Sequence, residues 1–168
     1  MSYFFLWYNY SMQKYNLVFI KKRNNILMLK RKNKPFIGIW NGLGGKIKSN
    51  ESPIESVVRE IREEAGIKLK KEDCCFRGLM TTDMNGYENN LIFLFLVDLK
   101  KEYEIKKDLI CDEGILEMKK IDWILDKNNK SVVPNIPFFF EDLLNENLIY
   151  VHCEFKNNIL SKVNVHKM

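Results

Sequence analysis

The sequence predicts an α/β (α+β) fold, a mixed β-sheet sandwiched between α-helices. Three observations carry this prediction. Short β-rich runs recur along most of the chain, one strongly capped helix interrupts them, and a second, aromatic helical segment comes late. The 168 residues suffice for one ordinary core and not for two. With 46% hydrophobic and 29% charged residues, the composition is globular.

Composition also limits the partners. A formal charge of +5 permits an anionic small-molecule ligand such as a nucleotide without demanding a stable nucleic-acid complex. No run of about 18 apolar residues is present, so no membrane span is expected. Cys74, Cys75, Cys111 and Cys153 form no C-x-x-C pair, and His152 and His166 lie far from zinc-like spacing. Reduced thiols and a cytoplasmic location are the expectation. Monomer and homodimer both stay open.

The elements follow in order. Residues 1–14 are read as an N-terminal extension and 15–168 as the domain. The aromatic run 1–10 lacks the basic leader and small-residue cleavage site of a secretory signal. It reads as an extra edge strand or interface patch, or as sequence upstream of a start at Met12. Residues 15–20 and 25–30 are strands, joined as a hairpin by a polar segment. A loop over 31–40 precedes Gly42, Gly44 and Gly45, a cluster suited to a sharp bend or close approach to a ligand. Ser52-Pro53-Ile54-Glu55 is a capping box with Pro at the first helical position, and the helix runs to Ala65 before a Gly66 cap. Strands are expected over 75–82, 90–98 and 115–123. The second of these is almost continuously apolar and therefore central. A second helix over 137–144 and strands over 148–155 and 159–165 complete the chain.

The first helix carries the chemistry. At 100° per residue, Ile54, Val57, Val58, Ile61 and Ala65 fall on one buried stripe. Glu60, Glu63 and Glu64 fall together on an adjoining one, as i, i+3 and i+4 neighbours. Arg59 and Arg62 are expected to point to the far side of that stripe. Each close carboxylate pair costs up to roughly 4 kcal/mol before solvent screening. A hard divalent cation would relieve the repulsion, and Mg²⁺ commonly joins carboxylates to substrate phosphates. A solvated acidic helix face is the alternative.

Gly45, Glu51, Arg59, Glu60, Ile61, Glu63, Glu64, Gly66 and Ile67 stand at the spacing G-x5-E-x7-R-E-U-x-E-E-x-G-U, with U a bulky aliphatic. This resembles the Nudix box at every specified position. The resemblance implies a Nudix fold and hydrolysis of a nucleoside diphosphate-linked compound. By the same resemblance, Glu60, Glu63 and Glu64 would bind Mg²⁺ (or Mn²⁺) and help activate water, and Gly45 would lend its carbonyl to the metal. Glu51 and Arg59 would brace the loop and helix by pairing with each other. A further carboxylate often comes from outside the box, and Glu113 is the candidate for that metal ligand or base.

Trp40-Asn41-Gly42-Leu43-Gly44-Gly45-Lys46 and Glu113-Gly114-Ile115-Leu116-Glu117 look like segments of the MutT-like branch, which acts on oxidised purine nucleoside triphosphates such as 8-oxo-dGTP. That likeness implies Asn41 as a base contact, with Asn16 and Asn135 as further candidates. Phe138 to Phe140 offer stacking or core. Residues 21–34 contain seven basic and no acidic side chains, a rim suited to a triphosphate, and Arg31 is the candidate phosphate contact. The alternatives are another Nudix substrate, such as a sugar nucleotide, a dinucleotide or an RNA 5′ end, and a non-catalytic nucleotide sensor.

Overall fold

The computed structural model describes residues 12–100, 103, 105 and 109–168, with 87–89 as backbone only. The aromatic run 1–10 and the residue preceding Met12 lie outside these. Among the described residues, nine strands form one mixed sheet: β1 (Gln13–Lys22), β2 (Asn25–Arg31), β3 (Trp40–Asn41), β4 (Cys75–Met84), β5 (Tyr87–Asp98), β6 (Leu109–Cys111), β7 (Gly114–Lys120), β8 (Ile149–Lys156) and β9 (Ile159–Lys167). The spatial order is β6-β7-β2-β1-β5-β4-β8-β9, and β3 pairs with β2. The β1–β5 and β4–β8 pairs are parallel and the others antiparallel.

The near-continuous apolar runs are explained by burial on both faces. On β1, Leu17 and Phe19 enter one core and Val18 and Ile20 the other. The same alternation places Ile26 and Met28 against Leu27 and Leu29 on β2, and Leu94 and Leu96 against Phe95 and Val97 on β5. Helix α1 (Pro53–Ala65) covers one face through Val57, Ile61 and Ala65. Helices α2 (Ile121–Leu125) and α3 (Ile136–Leu144) cover the other through Ile124, Phe139, Phe140 and Leu143.

Two expectations need correction here. The strand expected over 115–123 ends at Lys120, which pairs with Asn25, the first residue of β2. Beyond that point no partner strand remains, and the chain turns into α2, burying Ile124. The buried stripe of α1 is also rotated. Ile54 and Val58 are only partly buried, while Ser56 and Glu64 are buried at 0% and 7% exposure.

Candidate active site

Helix α1 is fixed at both ends before it presents any acid. Ser52 Oγ accepts the Glu55 N–H, and Glu55 Oε2 accepts the Ser52 N–H at 2.9 Å. Gly66 closes the other end in the left-handed conformation. The expected Glu51–Arg59 pair is present and bidentate, with Nη2 2.6 Å from Oε1 and Nε 2.9 Å from Oε2. These hydrogen bonds hold the Glu51 carboxyl down at about 2 and raise Arg59 above its ordinary value.

Arg59 departs from its expected direction. Its Nη1 donates to Glu60 Oε1 at 2.7 Å and to Glu63 Oε2 at 3.1 Å, so one guanidinium serves three carboxylates. Its planar fork offers five N–H donors, enough to partly neutralise the acidic stripe. Glu63 stays more than half exposed. Glu60 and Glu64 turn inward, on the same line of the helix as Ser56, one turn apart each.

The glycine segment meets that line. The Gly44 N–H donates to Glu64 Oε2 at 3.0 Å. A Cβ on Gly45 would lie 2.6 Å from Glu60 Oε1, so a larger residue there would push this carboxylate aside. Burial pushes the Glu64 carboxyl up to about 8, against the Gly44 hydrogen bond, with Glu60 and Glu113 adding repulsion. Burial also raises Glu60. Glu64 Oε1 is buried without a hydrogen-bond partner. Among the described residues no three acidic, His or Cys side chains already close into a metal-binding group. Even so, an orphaned buried oxygen, two carboxyls raised by burial and an abutting glycine backbone form an all-oxygen set that fits a hard divalent cation.

A cleft of about 460 Å³ starts at Glu60, Glu64 and Glu113 and runs beneath Asn41 to Asn135. Tyr15, Leu17, Phe36, Met80, Ile92 and Phe155 supply much of its apolar wall. Asn41 is partly exposed, with Oδ1 accepting the Gly42 N–H at 2.9 Å. Asn135 is 3% exposed; its Nδ2 lies 3.2 Å from Met80 Sδ and 3.4 Å from Cys153 Sγ, and its Oδ1 has no partner. Arg31 lines the cleft with its guanidinium tied to the Pro35 and Lys34 carbonyls. Glu113 sits in the two-residue β6–β7 turn at the rim, where Asn33 Nδ2 reaches its Oε2 at 3.2 Å.

Asn16 borders the same cleft, but its side chain is spent on the protein. Oδ1 accepts the Gly45 N–H at 3.3 Å and Nδ2 donates to Ser56 Oγ at 2.7 Å. It is 4% exposed, so a base contact there would have to share this side chain with its two internal hydrogen bonds. Phe139 and Phe140 belong to the core, while Phe138 is exposed beside Lys127. None of the three lines the cleft. Thr82 and Asn90, hydrogen-bonded to each other at 3.1 Å, do line it and went unnoticed in the sequence. Their only signal was the strand alternation that puts Met80, Thr82 and Met84 on one face of β4.

Cleft, carboxylates and glycine segment together form one site, acidic and oxygen-lined at one end and apolar at the other. The NUDIX domain family model matches residues 14–131, and the chain belongs to the Nudix family. An ADP-ribose pyrophosphatase of Methanocaldococcus jannaschii is 50% identical over 48 residues, 29% of this chain and 28% of that relative. An 8-oxo-dGTP diphosphatase of Proteus vulgaris is 31% identical over 91 residues, 54% of this chain and 80% of that relative. The crystal structure of a MutT protein from Bacillus halodurans superposes with a TM-score of 0.72 at 25% identity, covering 92% of this chain and 97% of that one.

Proposed function

We propose that this protein is a Mg²⁺-dependent nucleoside triphosphate pyrophosphohydrolase that converts oxidised purine nucleotides, 8-oxo-dGTP above all, to the monophosphate and pyrophosphate. One observation carries the reading: a single cleft joins the Glu60–Glu64–Glu113 carboxylates to an apolar chamber that holds the partly exposed amide of Asn41 and the unpartnered Oδ1 of Asn135. The likeness to the Proteus 8-oxo-dGTP diphosphatase supports it.

In this reading Asn41 and Asn135 bind the edge of the purine, each amide offering both donors and an acceptor. Apolar walls exclude water from the base. Arg31 and Lys34 at the cleft edge draw in the triphosphate. Glu60, Glu64 and the Gly45 carbonyl hold Mg²⁺ or Mn²⁺, with Glu63 at the outer side. The bound cation would orient water and neutralise charge on the leaving pyrophosphate. Glu113, at the rim facing Glu64, either completes the shell or accepts the proton of the attacking water.

The 50% identity to an ADP-ribose pyrophosphatase, confined to 48 residues, favours a second reading with a nucleoside diphosphate sugar as substrate. A panel of 8-oxo-dGTP, dGTP and ADP-ribose, followed by kcat/KM and product identity, separates the two. The first reading expects 8-oxo-dGTP to dominate and to release pyrophosphate. ADP-ribose as the best substrate, or equal rates for dGTP and 8-oxo-dGTP, would sink it.

A further inference from the structure

Ser56 is a hydroxyl at 0% exposure in the middle of an amphipathic helix, where a small apolar residue would pack without a polar cost. Its Oγ accepts from Asn16 Nδ2 at 2.7 Å and from Arg59 Nη2 at 3.2 Å. Asn16 in turn grips Gly45 twice: its backbone N–H donates to the Gly45 carbonyl at 2.9 Å, and its Oδ1 accepts the Gly45 N–H at 3.3 Å. Gly44, at φ 121°, passes so close to Asn16 that a Cβ there would collide with Asn16 Oδ1 and its backbone oxygen. The contacts close a ring from Asn16 through Ser56, Arg59 and Glu60 to Gly45 and back to Asn16.

We infer that Asn16 and Ser56 are positioning residues that set the Gly45 carbonyl at a fixed distance from Glu60 and Glu64, and thereby set the affinity for the divalent cation. The inference rests on the reading that these three groups hold the metal. Its physical basis is the location of the ring. The cation donors sit on two separate pieces of chain, the glycine segment and α1. Hydrogen bonds from the backbone to carboxylates alone leave their separation free to vary. A buried amide that bonds to both pieces removes that freedom before the ion arrives, as partners behind metal ligands generally do.

The test is Mn²⁺ binding to the metal-free protein without nucleotide, followed by loss of the free-ion EPR signal. Ser56→Ala and Asn16→Ala should each weaken Mn²⁺ by about tenfold, whereas Ser56→Thr, which keeps the hydroxyl, should stay within about twofold of the wild type. At saturating metal the KM for nucleotide of Ser56→Ala should change little, since Ser56 does not line the cleft. Unchanged Mn²⁺ affinity in both alanine variants overturns the inference while leaving the metal reading intact. If the wild type itself binds no Mn²⁺, or binds it equally well as Glu60→Gln, the metal reading fails and takes this inference with it. Should Ser56→Ala not fold, Ser56→Cys replaces it with the same expectation, because sulfur is a weak acceptor in a similar volume.

Discussion

Glu64 shows the cost of burying a carboxyl whose Oε1 has no hydrogen-bond partner. Its carboxyl ionises near 4.5 in an unfolded chain and is pushed up to about 8 by burial in the metal-free fold. The folded state therefore holds a proton that the unfolded state has released, and stability falls as pH rises from about 4.5 to about 8. Glu64→Gln cannot lose a charge in this way. In EDTA, urea denaturation should find the variant about as stable as the wild type at pH 5 and more stable at pH 8, by up to about 4 kcal/mol. The same variant should lose essentially all Mg²⁺-dependent hydrolysis. Equal stability at both pH values would show that the orphaned Oε1 is solvated after all; retained hydrolysis would remove Glu64 from the metal set. Glu51 has the opposite linkage. Held at about 2 by Arg59, it stabilises the fold above pH 4.5, and that contribution fades as pH falls toward 2.

At the scale of the element, the β6–β7 hairpin decides where Glu113 stands. Gly114, at φ 150°, pairs with Arg31 while its Cα abuts the Lys30 carbonyl, where a Cβ would collide. Gly114→Ala should therefore cost about 3 kcal/mol, read as a lower midpoint in thermal or urea melts, and should cut turnover by displacing Glu113. The exposed Glu113→Ala should cut turnover with a stability change within about 0.5 kcal/mol. A Gly114→Ala protein of wild-type stability would contradict the close approach. Long elements with strong local signals were legible in the sequence. The capping box and C-cap gave α1 to the residue, and β-rich runs gave β1, β2, β4, β5, β8 and β9 within a few residues. What was not legible depended on distant partners. β3 spans two residues and β6 three, and each is a strand only because β2 or β7 lies beside it. The end of β7 is set by where β2 begins. The Asn16–Ser56 hydrogen bond followed the same logic, since nothing local to Asn16 announces a partner forty residues on.

Across the whole molecule, the sheet divides the work between its faces. Strand β1 sends Val18 and Ile20 toward α1, which carries the acids, and Leu17 and Phe19 toward α3, beside the floor of the cleft. In the proposed reading, metal holding and base reading would thus be built on opposite sides of one layer and joined along the cleft beside the glycine segment. This predicts that the two properties separate on mutation. Asn135 is the N-cap of α3, and its side chain hydrogen-bonds to Met80 and Cys153, both in the core on the α3 side. Its unpartnered Oδ1 gains a hydrogen bond when a base N–H reaches it, and loss of such a bond in a desolvated site costs about 1–3 kcal/mol. Asn135→Ala should therefore reduce the preference for 8-oxo-dGTP over dGTP by roughly 5- to 150-fold in kcat/KM. Mn²⁺ affinity should stay at the wild-type value, because the acids and the Asn16–Ser56 ring are untouched. Ser56→Ala should show the reverse pattern, weak metal binding with the nucleotide preference kept. If Asn135→Ala instead weakened Mn²⁺ and left the preference unchanged, the division of labour between the two faces would be wrong, and the base would have to be read from another part of the cleft.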